Sequence, residues 1–197
     1  MNDSLNNTIH PLRATRAART ILRTRRLASL AGSLVALAAA AQANAQIPTD
    51  TTAPATLIDK VRIATDRYQH VDVALHEGWV RATPCVSGPE EGAMGVHLVL
   101  PDRLGDGVVN ANEPEALIYE PQSTGGWRLV GVEFIALAST VQGPPNFEGH
   151  LMHYVGEPNR YGLPPFYEMH VWAWRDNPKG NFADWNTSVT CDAMPPA

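Results

Sequence analysis

Phe166-Tyr-Glu-Met-His-Val-Trp-Ala-Trp174 decides how the rest of this chain is read. As a β-strand its side chains alternate between two faces. Tyr167, Met169, Val171 and Ala173 form an apolar face that fits a core. Glu168, His170, Trp172 and Trp174 form the other, which suits the wall of a cavity better than the outside of a plain strand.

Three further runs share this character. Gly95–Leu100, Ala116–Glu120 and Trp127–Leu137 are β-branched or aromatic and bounded by Pro, Gly, Asn and Asp, so each is expected to be a strand. Thr124-Gly125-Gly126 predicts a hairpin between the second and third. Ahead of them, Leu57, Val61, Ala64, Tyr68, Val71 and Leu75 recur at spacings of four and three, which predicts one long amphipathic helix stopped at Gly78. The expected fold class is α+β, with one amphipathic N-terminal helix packed on a mostly antiparallel curved sheet or partly closed barrel.

The start of the chain reads as an address. Six arginines between Arg13 and Arg26 precede an apolar run from Leu27 to Ala41, followed by Ala43-Asn44-Ala45. Basic region, short apolar region and small-residue exit are the parts of a secretory signal. The run is short of the roughly 20 residues of a spanning helix. Residues 1–45 are therefore expected to be removed after Ala45, with 46–55 a flexible lead and 56–197 one globular domain. Thr24-Arg25-Arg26 hints at twin-arginine export, although Ala28 stands where that signal wants a bulky apolar residue. The expected location is periplasmic or extracellular.

Removing residues 1–45 takes six arginines and Asp3 from the 15 basic and 20 acidic residues, leaving 9 and 19, a formal −10. An acidic domain without a basic run argues against nucleic acid and against an anionic membrane as partners. A small-molecule ligand or substrate remains open. Cys85 and Cys191 are the only cysteines, and in an oxidising compartment they are expected to pair. Neither has the CxxC partner or adjacent His of a thiolate metal ligand or nucleophile.

Candidate chemistry lies in isolated ionisable residues. Alternation in the third strand puts Leu129, Gly131, Glu133 and Ile135 on one face and Val130, Val132, Phe134 and Ala136 on the other. Glu133 stands alone in an apolar run, as His97 does among Val96, Leu98, Val99 and Leu100. Such groups are costly to bury unless paired, hydrogen-bonded or metal-bound. Phe147-Glu-Gly-His-Leu-Met-His153 adds His150 and His153, which share a side if the segment makes a helical turn. The expected metal ligands are His97, Glu133, His153 and His170, with His150, Glu168 and Trp172 as ligand-binding or orienting neighbours. Imidazoles with one carboxylate suit one transition metal, Zn²⁺, Fe²⁺, Mn²⁺ or Cu²⁺, in a metal-dependent hydrolase or oxidoreductase. The rival is a buried polar network, in which each histidine is satisfied within the core and Glu133 is its partner.

Other motifs carry less. Asp102, Asp106, Gly107 and Glu113 fall at EF-hand positions, but Leu104 occupies one that needs an oxygen, and a strand precedes the loop where a helix should. The loop reads as a polar turn. No GxSxG, P-loop or GxGxxG is present. Two non-catalytic readings stand beside the metal site. One is a small-ligand-binding module using Tyr167, Trp172 and Trp174, and the other is a structural envelope protein with a filled interior.

Met94-Gly-Val-His97, Pro114–Pro121, Leu129–Phe134, Tyr167–Trp172 and Asn177–Phe182 together resemble a family of secreted bacterial proteins labelled only hypothetical. The resemblance spans most of the chain from the helix to Cys191. It implies one exported domain and brings no activity with it.

Overall fold

The computed structural model describes residues 55–194, so the expected leader and signal cleavage lie outside the described residues. Two helices open the described chain, α1 (Leu57–Thr65) and α2 (Val71–His76), joined by a 3-10 turn over Asp66–Gln69. Thr56 and Asp59 close a capping box at the start of α1, each side chain accepting from the other's backbone N–H at 3.2 Å. The single long helix expected from the periodicity is thus broken. Tyr119 Oη donates to the Tyr68 carbonyl at 2.7 Å, and Thr65 Oγ1 donates back to the Val61 carbonyl while accepting from Trp174 Nε1. The tertiary partners draw these groups out of the helix ladder. His70 becomes extended, and the restarted turn buries Ala74 and leaves Leu75 exposed. Gly78 closes α2 at φ +90°, a conformation that favours glycine.

The strands are β1 (Val80–Arg81), β2 (Val86–Gly88), β3 (Gly92–Val99), β4 (Ala116–Pro121), β5 (Trp127–Leu137), β6 (Asn146–Phe147), β7 (His150–Leu151), β8 (His153–Val155) and β9 (Phe166–Val171), with a short helix α3 (Pro101–Leu104) after β3. The main sheet runs β1-β3-β4-β5-β9-β8, with β2 also on β3, and every pairing is antiparallel. The β6–β7 hairpin is separate. The architecture is mixed helix and antiparallel sheet, and the described strands close no barrel. No described helix is long and apolar enough to cross a membrane.

Register sorts the sheet into two faces. Val96, Leu98, Leu117, Tyr119, Val132, Phe134, Met169 and Val171 share one buried cluster with Leu57, Val61, Tyr68 and Ala74. The opposite face carries two smaller apolar clusters, one around Ile118, Val130 and Trp172, the other around Val99, Ala116, Ile135 and Phe166. Polar residues lie between them.

Two departures from strict alternation matter. Ile118 pairs with Gly131 and Tyr119 with Leu129, so Val130 is an extra residue in β5. This bulge sends Leu129 to the helix-side cluster and Val130 to the other, reversing their expected faces. Beyond β9, Ala173 N–H donates to the Val171 carbonyl, a tight turn that ends alternation. Trp174 consequently packs on the helix-side cluster instead of sharing a face with His170. Backbones come close at Gly131, since a Cβ there would stand 2.7 Å from the Val171 carbonyl oxygen.

The C-terminal segment covers the polar face. Ala93 and Asn186 exchange both backbone hydrogen bonds at 3.1 Å, and Trp172 N–H donates to the Asn181 carbonyl. Cys85 and Cys191 form the expected disulfide, Cα–Cα 5.7 Å, across 106 residues of chain. The Asp102–Glu113 loop is the polar turn expected of it, with Asp106 and Asn110 side chains accepting from N–H groups two residues on.

Candidate metal centre

Each strand delivers its ionisable residue to the same face. Glu133 is directly opposite His170 across β5–β9, and His97 comes from β3 beyond the intervening β4. His97 Nε2 lies 3.3 Å from His170 Nε2 and 3.4 Å from Glu133 Oε2. All three residues are 1% exposed or less. Thr83 Oγ1 orients His97 from behind, accepting from its backbone N–H at 3.2 Å and meeting Nδ1 at 3.3 Å. Trp172 is a buried plank stacked on His170 at 6.0 Å, its Nε1 donating to the Ala183 carbonyl, so it is no cavity wall.

Polar satisfaction fails here. Glu133 Oε1, Glu168 Oε2, His170 Nδ1 and Tyr161 Oη are buried without a hydrogen-bond partner. Buried polar atoms are ordinarily paired, and four orphans around one cluster need a physical account. No Lys or Arg among the described residues is paired with Glu133 or Glu168. Burial therefore governs ionisation. It pushes Glu133 well above the carboxylate range, helped by the charge of Glu168, and raises Glu168 itself. Burial, then the charge of Arg160, lowers His97 to about 4, and burial holds His170 well below the usual imidazole range.

His97 and Glu133 border a cavity of about 80 Å³ whose other walls include Val99, Leu104, Ile135, Leu163, Phe166 and Tyr161. Tyr161 also borders an open polar groove of about 650 Å³ that contains Glu168, Asp184, Arg160 and Trp185. The phenol thus stands between cavity and groove.

His153 does not join the cluster. Its side chain is 62% exposed and its Nδ1 meets Asp184 Oδ1 at 3.1 Å. His150 lies against the Phe182 ring, centroids 4.2 Å apart. The segment forms β7 and β8 where a helical turn was expected, so positions three apart do not meet at one site. Glu168 does lie beside the cluster, and Glu168, His170 and Asp184 make a second close set. The aromatic contacts expected of a ligand-binding module are spent elsewhere, with Trp172 buried, Trp174 donating to Thr65 and Tyr167 against Tyr154. Sequence reading missed Thr83, Tyr161 and Asp184. Asp184 had a signal, as an acid within the aromatic turn Phe182–Trp185; Tyr161, in a Pro/Gly loop, had none.

Glu115, also unforeseen, is buried and raised to about 8 by desolvation, with Oε2 accepting from Ile135 N–H at 2.8 Å. Between its ordinary 4.5 and about 8 only the folded chain holds that proton, so stability falls as pH rises through this window. His97 acts oppositely, because between 6.5 and about 4 only the unfolded chain gains a proton, and stability falls as pH drops. Above pH 6.5 the carboxyl effect stands alone. Urea unfolding in chelator should show metal-free protein losing stability from pH 6.5 to 8, with a shallower loss in Glu115→Gln. An unchanged slope in that variant would remove Glu115 from the account.

No protein-family model, functionally described protein or solved structure matches the chain.

Proposed function

We propose that this is an exported metalloprotein in which His97, Glu133 and His170 hold one transition-metal ion, Zn²⁺ by first preference. The observation that carries the reading is the spacing of the donors together with the orphaned atoms around them. Ligands about 2.0–2.1 Å from a tetrahedral ion stand about 3.3–3.4 Å from one another. The His97–His170 and His97–Glu133 separations are 3.3 and 3.4 Å. A divalent charge also offsets two buried carboxylates that no described cation balances.

Three protein ligands beside a small cavity is the arrangement of catalytic metal centres, which keep a position open, and not of closed structural ones. The reaction class it supports is metal-assisted hydrolysis. An ion held by these residues would supply Lewis-acid activation of a water nucleophile. Glu133 Oε1 and Glu168 Oε2, both without partners, are the acceptors at hand. The groove beyond Tyr161 is where a small-molecule substrate would approach. The basic-apolar-small pattern of residues 13–45 and the disulfide support export.

The test is plasma mass spectrometry on protein exported and purified without chelator or affinity tag. At least one equivalent of Zn, Fe, Mn or Cu is expected, with one equivalent fewer in His97→Ala, on a chain beginning at Gln46. Protein that is empty and takes up no added metal would sink the proposal and leave His97, Glu133 and His170 a buried polar network.

A further inference from the structure

Glu168, His170 and Asp184 offer ligand atoms that all lie within 4.8 Å of one another, on the groove side of the first cluster. We infer that these three residues form a second divalent-cation site, so that the protein holds two ions sharing His170. The inference rests on the proposed inner centre for the pairing of the ions, and on its own residues for the outer ion.

Acids at a groove are by themselves unremarkable, because water solvates them. Glu168 is different: it is 5% exposed, and its Oε2 has no hydrogen-bond partner. His170, fully buried, turns Nε2 to His97 and leaves Nδ1 without one. Two buried donors from one strand, Glu168 Oε2 and His170 Nδ1, are therefore unspent, and a ligand atom of each residue lies within 4.8 Å of one from Asp184. Asp184 is held in place by His153, whose Nδ1 meets Oδ1 at 3.1 Å, leaving the other carboxylate oxygen for an ion. This gives the displaced His153 a role as a positioning residue one step outside the ligands.

Chemistry separates the two positions. The inner set is two imidazoles and one carboxylate beside an apolar cavity, and the outer is one imidazole and two carboxylates open to a polar groove. The oxygen-richer outer set suits Zn²⁺ or Mn²⁺ completed by water. Charge also balances: two divalent ions are neutralised by Glu133, Glu168, Asp184 and a His170 ring that has released its proton to solvent. With the outer ion bound, Glu168 is a ligand, and Glu133 Oε1 remains to take the proton of an inner water.

Calorimetric titration of chelator-stripped protein with Zn²⁺ and with Mn²⁺, followed by metal analysis after desalting, tests this. Wild type should bind two equivalents and Asp184→Asn one, with His97→Ala keeping the outer one. His153→Ala should weaken the second equivalent by about tenfold and leave the first unchanged. Asp184 is partly exposed, and matching melts in chelator would show that its variant is folded. One equivalent in both wild type and Asp184→Asn would overturn the second site and leave the inner centre standing. A single equivalent abolished by Asp184→Asn and spared by His97→Ala would overturn the inner centre and the pairing of two ions, and no binding at all would overturn both sites.

Discussion

His170→Ala protein should retain less than about a tenth of the wild-type metal, because the substitution removes a direct ligand. Its melting temperature should also stop responding to added Zn²⁺. An ion at about 100 times its dissociation constant stabilises the folded chain by about 2.7 kcal/mol. In a domain of this size that raises Tm by about 8 °C. The difference with and without metal is the informative quantity, since emptying the space of a fully buried ring lowers stability by itself. Glu133→Gln separates the two effects. It replaces a carboxyl that is buried against Glu168 and has no partner on Oε1, so metal-free Glu133→Gln should melt at or above wild type, with its Zn²⁺ response gone. If Glu133 and the histidines were instead a satisfied hydrogen-bonded network, Glu133→Gln would lower the metal-free melt and Zn²⁺ would shift neither protein. Differential scanning calorimetry of the three proteins, with Zn²⁺ and with chelator, reads both signs.

Replacing Cys85 and Cys191 together by serine should lower unfolding free energy by about 4–5 kcal/mol, the chain-entropy value for a loop of this order. Residues 85 and 191 are 106 apart, and the loop between them contains β2 through β9. The closure also acts locally. The segment from Asn181 to Cys191 lies over the polar face, accepts from Trp172 Nε1 at Ala183 and carries Asp184. Among its other ties are the backbone pair of Ala93 with Asn186, the Thr190 N–H bond to Glu120 and the Arg175 guanidinium donating to the Ser188 carbonyl. Freed at its end, this segment should open more often, and bound metal should pass faster to an external chelator. Urea denaturation and chelator competition on the double variant measure the two consequences. A stability loss without faster metal release would confine the bond to global stability.

The inner cluster was legible because strands impose a period of two. A lone Glu133 among Val, Phe and Ile, and a lone His97 among Val and Leu, stand out against that period, and so does His170 opposite its apolar neighbours. The antiparallel strands and the disulfide followed from composition and boundaries in the same way. What misled the reading was backbone irregularity. The bulge at Val130 and the turn after Val171 each shift alternation by one, and neither leaves a local mark in the residues around it. The helix break is of the same kind, set by Tyr119, a residue some fifty positions downstream of Tyr68. Asp184 and Tyr161 reach the site on loops whose paths depend on what they pack against. His153 was placed by a helical assumption that two short strands replaced.

The margins of the main sheet carry a consequence for the protein in concentrated surroundings. Among the described residues its long members, β3 and β5, are flanked on both sides, whereas the sheet runs out along β3 in β1 with two residues and β2 with three, and at the other margin in β8 with three. Arg81 sits on β1 and His153 on β8. A passing extended chain finds only two or three ladder positions at either margin before meeting charge or a turn, too few for edge-to-edge addition. Sheet growth between molecules is blunted by truncation, and the folded chain can be crowded without seeding fibres from its own borders.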